Sequence, residues 1–330
     1  MTATIEGVDI HAHGVPARFL ESVRKSGLAG AKVDVSEGRY VLTFPGMAPL
    51  RPVAGVMLEF EQRLKWLDDQ GMQHQIVAPW LDVDGQELPD ADGQEWARQL
   101  NDALAEAVAA TGGRLRAHAT LHMADEKVAA RELERASRLG MTACMMRTNL
   151  PRGNLAEARY DAVWEAAQAL RVPIVLHPPT DGPSTCMFEE KPKFRGLFGR
   201  LIDTTVVAME LIQAGVLARF PDLQLVLVHG GGFLPYQTGR MDREAEKGKL
   251  PSDYVKRFYY DTVLMSPVAL KLLLEFIGAG RVMIGSDYGA AAKERGGLKL
   301  TDALDAIGPD PATRRKVVRE TAERLFRIGK

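Results

Sequence analysis

The feature that most constrains the fold is a repeated alternation of short apolar segments with stretches of helical periodicity. The apolar segments are nearly continuous, which is typical of parallel strands that are covered on both faces. Eight strand–helix units that close on themselves make a (β/α)8 TIM barrel. A doubly wound open sheet is the alternative, but it usually carries a glycine-rich turn after the first strand, where this chain has His-Ala-His-Gly. The predicted strands are 8–14, 75–79, 115–121, 142–146, 172–177, 223–228, 258–263 and 281–287. The predicted helices are 57–70, 95–110, 126–139, 160–170, 203–219, 267–277 and 313–326.

One segment near the start departs from this alternation. Residues 32–35 and 40–44 alternate in polarity on either side of Gly38, which predicts a β-hairpin. We therefore expect a single barrel domain over residues 1–330, with a small N-terminal β-hairpin insertion at about 28–50. The insertion either decorates one end of the barrel or serves as a lid or a dimer contact.

Composition narrows the class of protein. The chain has 330 residues, of which 46% are hydrophobic and 26% are charged, as in ordinary globular proteins. Its net charge of -1 gives no basic field that would favour nucleic acid. Two cysteines are too few for a disulfide scaffold. Neither a secretory signal nor an apolar run of membrane-spanning length (about 18 residues) is present, so we expect a cytoplasmic protein without membrane contact.

The first predicted strand carries two histidines. In a β-strand, residues i and i+2 point to the same face, so His11 and His13 should lie side by side, opposite Ile10 and Ala12. Paired imidazoles on one face suit a divalent metal ion. By itself the pair is weak evidence, and the question is whether the chain supplies further ligands.

The carboxyl ends of the other strands supply them. In a barrel, chemistry is located at these ends, and His177, His229 and Asp287 each stand at one. We predict that His11, His13, His177 and Asp287 bind one divalent ion, with zinc as first candidate and manganese or iron as alternatives. His229, followed by three glycines, is left for acid/base catalysis, because its ordinary pKa is near neutrality. The other histidines are His74, expected in solvent, and His118 and His122, expected in the core or at the rim.

These residues and their surroundings resemble the second amidohydrolase family, which contains amino-carboxymuconate-semialdehyde decarboxylase, resorcylate and carboxyvanillate decarboxylases, and related hydratases. The likeness covers nearly the whole chain, through residues 9–13, 154–155, 160–164, 172–178, 203–205, 215–223, 229–232, 235, 239–240 and 285–288. It implies a barrel with one metal bound by His11, His13, His177 and Asp287. It also implies that Asp287 and His229 are the catalytic residues.

The resemblance further implies arginines that bind substrate. Arg240 falls where the semialdehyde decarboxylase has an arginine that binds a carboxylate across a dimer interface, so we expect a homodimer or higher oligomer. Arg51 is the nearest match to a second such arginine, although its spacing fits poorly. The family pattern is lost at 289–297, a loop that should border the pocket. His-x-His on the first strand, where several aromatic-acid decarboxylases have Glu-x-His, favours the semialdehyde decarboxylase, hydratase or hydrolase members.

Three functions remain open at this point. The first is a metal-dependent non-oxidative decarboxylase of a carboxylated aromatic or muconate-type ring-cleavage acid. The second is a metal-dependent hydrolase or hydratase that uses the same site on a lactone, amide, thioester or enol acid. The third, a binding barrel without catalysis, is disfavoured by five catalytic-type groups at strand ends.

Overall fold

The strands form a barrel, as predicted. A computed structural model describes residues 6–247, 250–290 and 299–329. Within these ranges, eight parallel strands pair in the order β1-β4-β5-β6-β7-β8-β9-β10. They are β1 (Gly7–Gly14), β4 (Met72–Pro79), β5 (Leu115–Ala119), β6 (Ala143–Arg147), β7 (Ile174–His177), β8 (Leu225–Leu227), β9 (Tyr259–Asp261) and β10 (Val282–Met283). The predicted (β/α)8 barrel is confirmed.

The barrel closes between its first and last strands. Ile10 N donates to Ile284 O at 3.0 Å, and Asp287 N donates to His11 O at 2.8 Å. Farther along, His13 N donates to Tyr288 O at 2.8 Å. The segment after β10 therefore runs beside β1, which brings both predicted ligand segments to the same end of the barrel.

Helices surround the strands. They are α1 (Ala17–Ser26), α2 (Gly55–Leu58), α3 (Phe60–Gln70), α4 (Asp90–Ala109), α5 (Glu126–Arg138), α6 (Asp161–Leu170), α7 (Pro183–Cys186), α8 (Pro192–Phe194), α9 (Arg200–Gln213), α10 (Val216–Arg219), α11 (Leu234–Met241), α12 (Pro251–Tyr254), α13 (Pro267–Ile277), α14 (Asp302–Ile307), α15 (Pro311–Arg315) and α16 (Thr321–Phe326). The helix predicted over 203–219 is divided at Gly215, which takes a left-handed φ of 71°. No described helix combines the length and apolarity that crossing a bilayer requires.

The two faces of the strands pack into two different buried clusters. Val77, Cys144 and Leu176 belong to the larger cluster, which includes the inner faces of α5, α6 and α9. Ile76, Met145 and Val175, at alternate positions, belong to a smaller cluster inside the barrel, which α16 joins. This alternation is what a strand with a period of two residues predicts.

The predicted hairpin is also present. β2 (Lys32–Ser36) and β3 (Arg39–Thr43) pair antiparallel around the turn at Gly38. A third buried cluster anchors this insertion, where the rings of Phe19 and Phe44 each lie 5.0 Å from that of Trp96 on α4. Helix α1, which supplies Phe19, was not predicted. Its apolar positions are few, but they fall on one face and the helix ends at a left-handed Gly27.

Candidate metal and active site

All five predicted catalytic and metal-binding side chains lie at one end of the barrel. His11 and His13 are on β1, His177 ends β7, His229 follows β8, and Asp287 follows β10. All five are buried, and His229 is the most exposed of them at 8%. The structure therefore brings together residues that are up to 276 positions apart, from His11 to Asp287.

The donor atoms converge on a small volume. The imidazole rings of His11, His13, His177 and His229 lie 4.8–5.4 Å apart in the neighbouring pairs. Asp287 Oδ1 is 3.2 Å from His13 Nε2 and 3.4 Å from His11 Nε2. One ligand atom from each of His11, His177, His229 and Asp287 lies within 4.8 Å of the others. His13 is outside that tightest set but adjoins it through Asp287.

Several of these buried atoms lack a hydrogen-bond partner among the described residues. They are His11 Nε2, His177 Nε2, His229 Nδ1, Asp287 Oδ1 and both ring nitrogens of His13. A buried polar atom without a partner costs about 1–3 kcal/mol, so such a group of atoms needs a common ligand. Three imidazoles and a carboxylate, held at this spacing, fit one divalent metal ion.

Asp261, which sequence analysis missed, orients His11. Its Oδ2 lies 2.7 Å from His11 Nδ1, and its Oδ1 accepts hydrogen bonds from Gly230 N (2.9 Å) and Val263 N (3.1 Å). Burial opposes ionisation of Asp261, but the hydrogen bond from His11, the charges of His11 and His229 and the bond from Gly230 N together outweigh it and lower the pKa of the carboxyl. The carboxylate therefore keeps the His11 proton on Nδ1 and leaves Nε2 free for a metal. Its position at the carboxyl end of an apolar strand was the available signal.

His177 is oriented in the same way by the backbone. Its Nδ1 lies 2.9 Å from Pro178 O, so the proton resides there and Nε2 faces the cluster. Burial, with the neighbouring histidines, holds the pKa of His177 well below its usual value. A neutral imidazole with a free nitrogen is the form that binds metals.

A second buried network supports β1. Asp9 Oδ1 accepts from Ser286 N at 2.9 Å, and Asp9 Oδ2 accepts from Gln75 Nε2 at 2.6 Å. Arg63, fully buried, donates to Gln75 Oε1 at 3.0 Å and to His13 O at 2.7 Å. The network ties the strand that carries the histidines to the segment that carries Asp287.

Two site residues have left-handed backbones. The φ angles of His229 and Asp287 are 55° and 54°, which is uncommon for residues other than glycine and is often found at functional sites. The glycines after His229 allow close packing of this turn. A Cβ on Gly230 would lie 2.3 Å from Leu264 Cδ2, and one on Gly232 would lie 2.3 Å from Leu201 O. Close packing therefore accounts for glycine at both positions without the approach of a ligand.

A cleft of about 420 Å³ opens at the cluster. It is lined by Arg51, Lys193, Gly196, Leu197, Arg200, Leu201, His229, Val263, Leu264, Met265, Asp287 and Ala290. Arg51 thus lies at the cleft. Arg240 is exposed on α11 and is not among the lining residues. Arg200, which sequence analysis did not single out, lies at the cleft.

The three other histidines are buried or partly buried. His118 is in the core, where its Nε2 lies 3.1 Å from Ile10 O. His122 is buried as well. His74 is partly buried, not in solvent, with Nδ1 3.1 Å from Gly113 O. Of the predicted loop 289–297, residues 291–297 lie outside the described residues, and Ala290 lines the cleft.

The sequence matches a known protein family. A sequence model described as Amidohydrolase matches residues 8–328, from the first strand to the last helix. The chain belongs to the amidohydrolase family. This confirms the resemblance that the sequence motifs indicated.

Several relatives of this amidohydrolase are decarboxylases. It is 29% identical to gamma-resorcylate decarboxylase of Polaromonas sp. over 298 residues, which cover 82% of this chain and 88% of the relative. It is 22% identical to 2-amino-3-carboxymuconate-6-semialdehyde decarboxylase of Dictyostelium discoideum, over 85% of this chain and 81% of the relative. Among solved structures, a dihydroxybenzoic acid decarboxylase from Polaromonas sp. with bound manganese and 2-nitroresorcinol superposes with a TM-score of 0.80. That comparison has 24% identity and covers 98% of each chain.

Proposed function

We propose that this amidohydrolase is a metal-dependent non-oxidative decarboxylase of a carboxylated aromatic or muconate-type ring-cleavage acid. The observation that carries the proposal is the buried histidine–aspartate cluster, which opens into a cleft with both cationic and apolar walls. Such a cleft suits a flat acid whose ring packs on hydrocarbon while its charged groups meet cations. The decarboxylase relatives favour this reaction over the alternatives on the same scaffold.

We further propose that His11, His13, His177 and Asp287 hold the metal ion. Zinc is the first candidate because of the imidazole donors, and manganese is the main alternative because a structural neighbour carries it. When bound there, the ion would supply Lewis-acid chemistry for an oxygen of the substrate. The protein supplies imidazole nitrogens that Asp261 and the Pro178 carbonyl orient, and it excludes water from a cluster that is almost fully buried.

His229 is our candidate for proton transfer. It lines the cleft, and its Nε2 lies 3.9 Å from Asp287 Oδ2. In decarboxylation, the electron pair of the breaking carbon–carbon bond returns to the substrate carbon, which must then receive a proton. A histidine at the edge of the cleft can deliver that proton, and Asp287 can hold the imidazolium in place.

We also propose that Arg51 and Arg240 bind substrate and that the protein is a homodimer. Arg51 lines the cleft and can bind a substrate carboxylate. Arg240 can take part only if a second copy brings it to the cleft of its neighbour. Exposed apolar side chains at Leu197 and Met265, beside the cleft, support the homodimer that this requires. The cytoplasmic location stays a prediction.

Hydrolysis or hydration remains the alternative, because the same residues can activate a metal-bound water. Product analysis of the metal-loaded enzyme separates the two reactions. Release of CO2 from 2,6-dihydroxybenzoate or from a hydroxylated isophthalate, measured with a coupled carbonate assay, supports decarboxylation. Turnover of esters, lactones or enol acids without CO2 would replace it with the alternative. Absence of turnover with every metal-loaded form would defeat both.

A further inference from the structure

We propose that Arg200 binds a carboxylate that the substrate keeps throughout the reaction, so that the substrates are acids with two acidic groups. The proposal rests on the proposed function, because it places the reacting end of the substrate at the histidine–aspartate cluster. It goes beyond that function by naming the residue that selects the substrate class.

Arg200 occupies the place that such a residue needs. It lines the large cleft together with His229 and Asp287. It also lines a small adjoining recess together with His13 and His177. A side chain that borders both spaces can reach a ligand in the cleft while the ligand contacts the cluster.

The charge of Arg200 is not neutralised within the described chain. No described carboxylate forms an ion pair with its guanidinium, although it is only partly exposed. Two of the arginines in the cleft between α4 and α5 differ from it, since Arg98 and Arg135 lie 2.6 Å from Glu95 and Asp102, respectively. A partly buried arginine without a counter-ion is arranged to receive an anionic ligand.

The other cations of the cleft are less available. Arg51 Nε lies 3.3 Å from Asp82 Oδ2, and the Arg51 guanidinium stacks 4.6 Å from the centre of the Trp80 ring. Lys193 is exposed to solvent, where its charge is screened. Among the cations that line the cleft, Arg200 is therefore the one whose charge is least compensated by the described residues and by solvent.

The backbone of Arg200 is fixed by packing. The residue begins α9 directly after a π-helical turn, Arg195–Gly199, and such turns are frequent at functional sites. A Cβ on Gly199 would lie 2.5 Å from Thr185 Cα, so α7 packs closely on this turn. Asp203 on α9 also binds α7, because its Oδ1 accepts a hydrogen bond from Ser184 N at 3.0 Å. The backbone that carries the Arg200 side chain is thus held in place by packing.

The chemistry of decarboxylation indicates which carboxylate it binds. As CO2 forms, negative charge leaves the departing carboxylate, so an arginine on that group would stabilise the substrate more than the transition state. A retained carboxylate keeps its charge in both states. Binding it improves affinity without slowing the chemical step, while Leu197, Leu201 and Leu264 are left to contact the ring.

Isothermal titration of the metal-loaded enzyme with isophthalate and with benzoate tests this assignment. The wild type should bind isophthalate roughly 10- to 100-fold more tightly, as a charge-assisted hydrogen-bonded pair predicts. Arg200→Gln should abolish this preference without loss of metal. Arg200→Lys, which keeps the charge but not the planar fork, should retain part of it. Arg138→Gln, the same charge change at an exposed residue of α5, is the matched control and should retain all of it.

Several results would overturn the assignment. They are equal affinities of the wild type for the two acids, a preference that survives in Arg200→Gln, and loss of metal from that variant, which would show a structural role. If Arg200→Gln does not fold, an undiminished preference in Arg200→Lys overturns it. Because binding needs no turnover, an Arg200-dependent preference without CO2 release would refute the proposed reaction and leave this assignment standing.

Discussion

Replacing Asp261 with asparagine should weaken metal binding although Asp261 is not a proposed ligand. Asparagine can still accept from Gly230 N and Val263 N through its oxygen, since those bonds are made to Oδ1. Its amide nitrogen then takes the place of Oδ2 and faces His11 Nδ1 at the present 2.7 Å. Two donors would oppose each other, and the His11 proton would move to Nε2, the atom that faces the cluster.

The size of this effect follows from the role of the carboxylate. Loss of a carboxylate that orients a ligating histidine lowers metal affinity roughly 10- to 100-fold. This corresponds to about 1.4–2.7 kcal/mol at room temperature. Competition with a chromophoric chelator measures the affinity of wild type and variant for Zn2+ and Mn2+. The folded state of each is checked by circular dichroism.

Asp203→Asn provides the matched control for Asp261→Asn. Asp203 is a buried carboxylate that also accepts a backbone hydrogen bond, from Ser184 N, but it does not contact the histidines. Its replacement should lower thermal stability and leave metal affinity within about twofold, which is within the context-dependent scatter of single changes. An Asp261→Asn protein that is folded and binds both metals as the wild type does would refute the role given to Asp261.

Three further changes test other parts of the account. His229→Ala should retain the metal and lose CO2 release roughly 100-fold or more, as expected for a general acid; loss of metal from this variant would show that the ligand set is wrong. Burial lowers the pKa of His118 to about 3, so below pH 6.5 the unfolded chain takes up a proton that the folded chain does not. The free energy of unfolding therefore decreases as the pH falls from 6.5 toward 3. Between pH 7 and pH 5 the loss is about 2 kcal/mol, and urea unfolding of His118→Gln should show a pH dependence smaller by that amount; equal slopes for the two proteins would contradict it. Gly232→Ala should lower the free energy of unfolding by about 2 kcal/mol or more, because the residue has a φ of 63° and its Cβ would meet Leu201 O, whereas Gly239→Ala, with no neighbour within 4 Å, should be neutral or stabilising. Equal thermal stability of the two glycine variants would disprove the packing argument.

The polar residues at strand ends were predictable because barrel geometry brings the carboxyl ends of all strands together. For His11, His177 and Asp287, the position in the alternation of strands and helices was sufficient to predict that they lie at the site. The β1 register was less predictable, since a shift between Asp9 and Ala12 interrupts the strict alternation expected there. Such irregularities depend on contacts with the neighbouring strand, which a single sequence does not reveal.

Residues that act through distant partners escaped sequence analysis. Arg63 lies on a helix whose pattern suggests an exposed position, yet it is fully buried, and its guanidinium donates to Gln75 Oε1 and to the His13 carbonyl. Arg200 lies in a segment with little periodicity, next to Gly199, on which α7 packs closely. In both cases the decisive partners come from other elements of the fold.

The most direct test of the central claim is a crystal structure of the manganese-loaded protein with anomalous diffraction data. The account predicts one strong anomalous peak at the carboxyl end of the barrel, within bonding distance of His11, His13, His177 and Asp287. A peak elsewhere, or coordination that omits the β1 histidines, would contradict it.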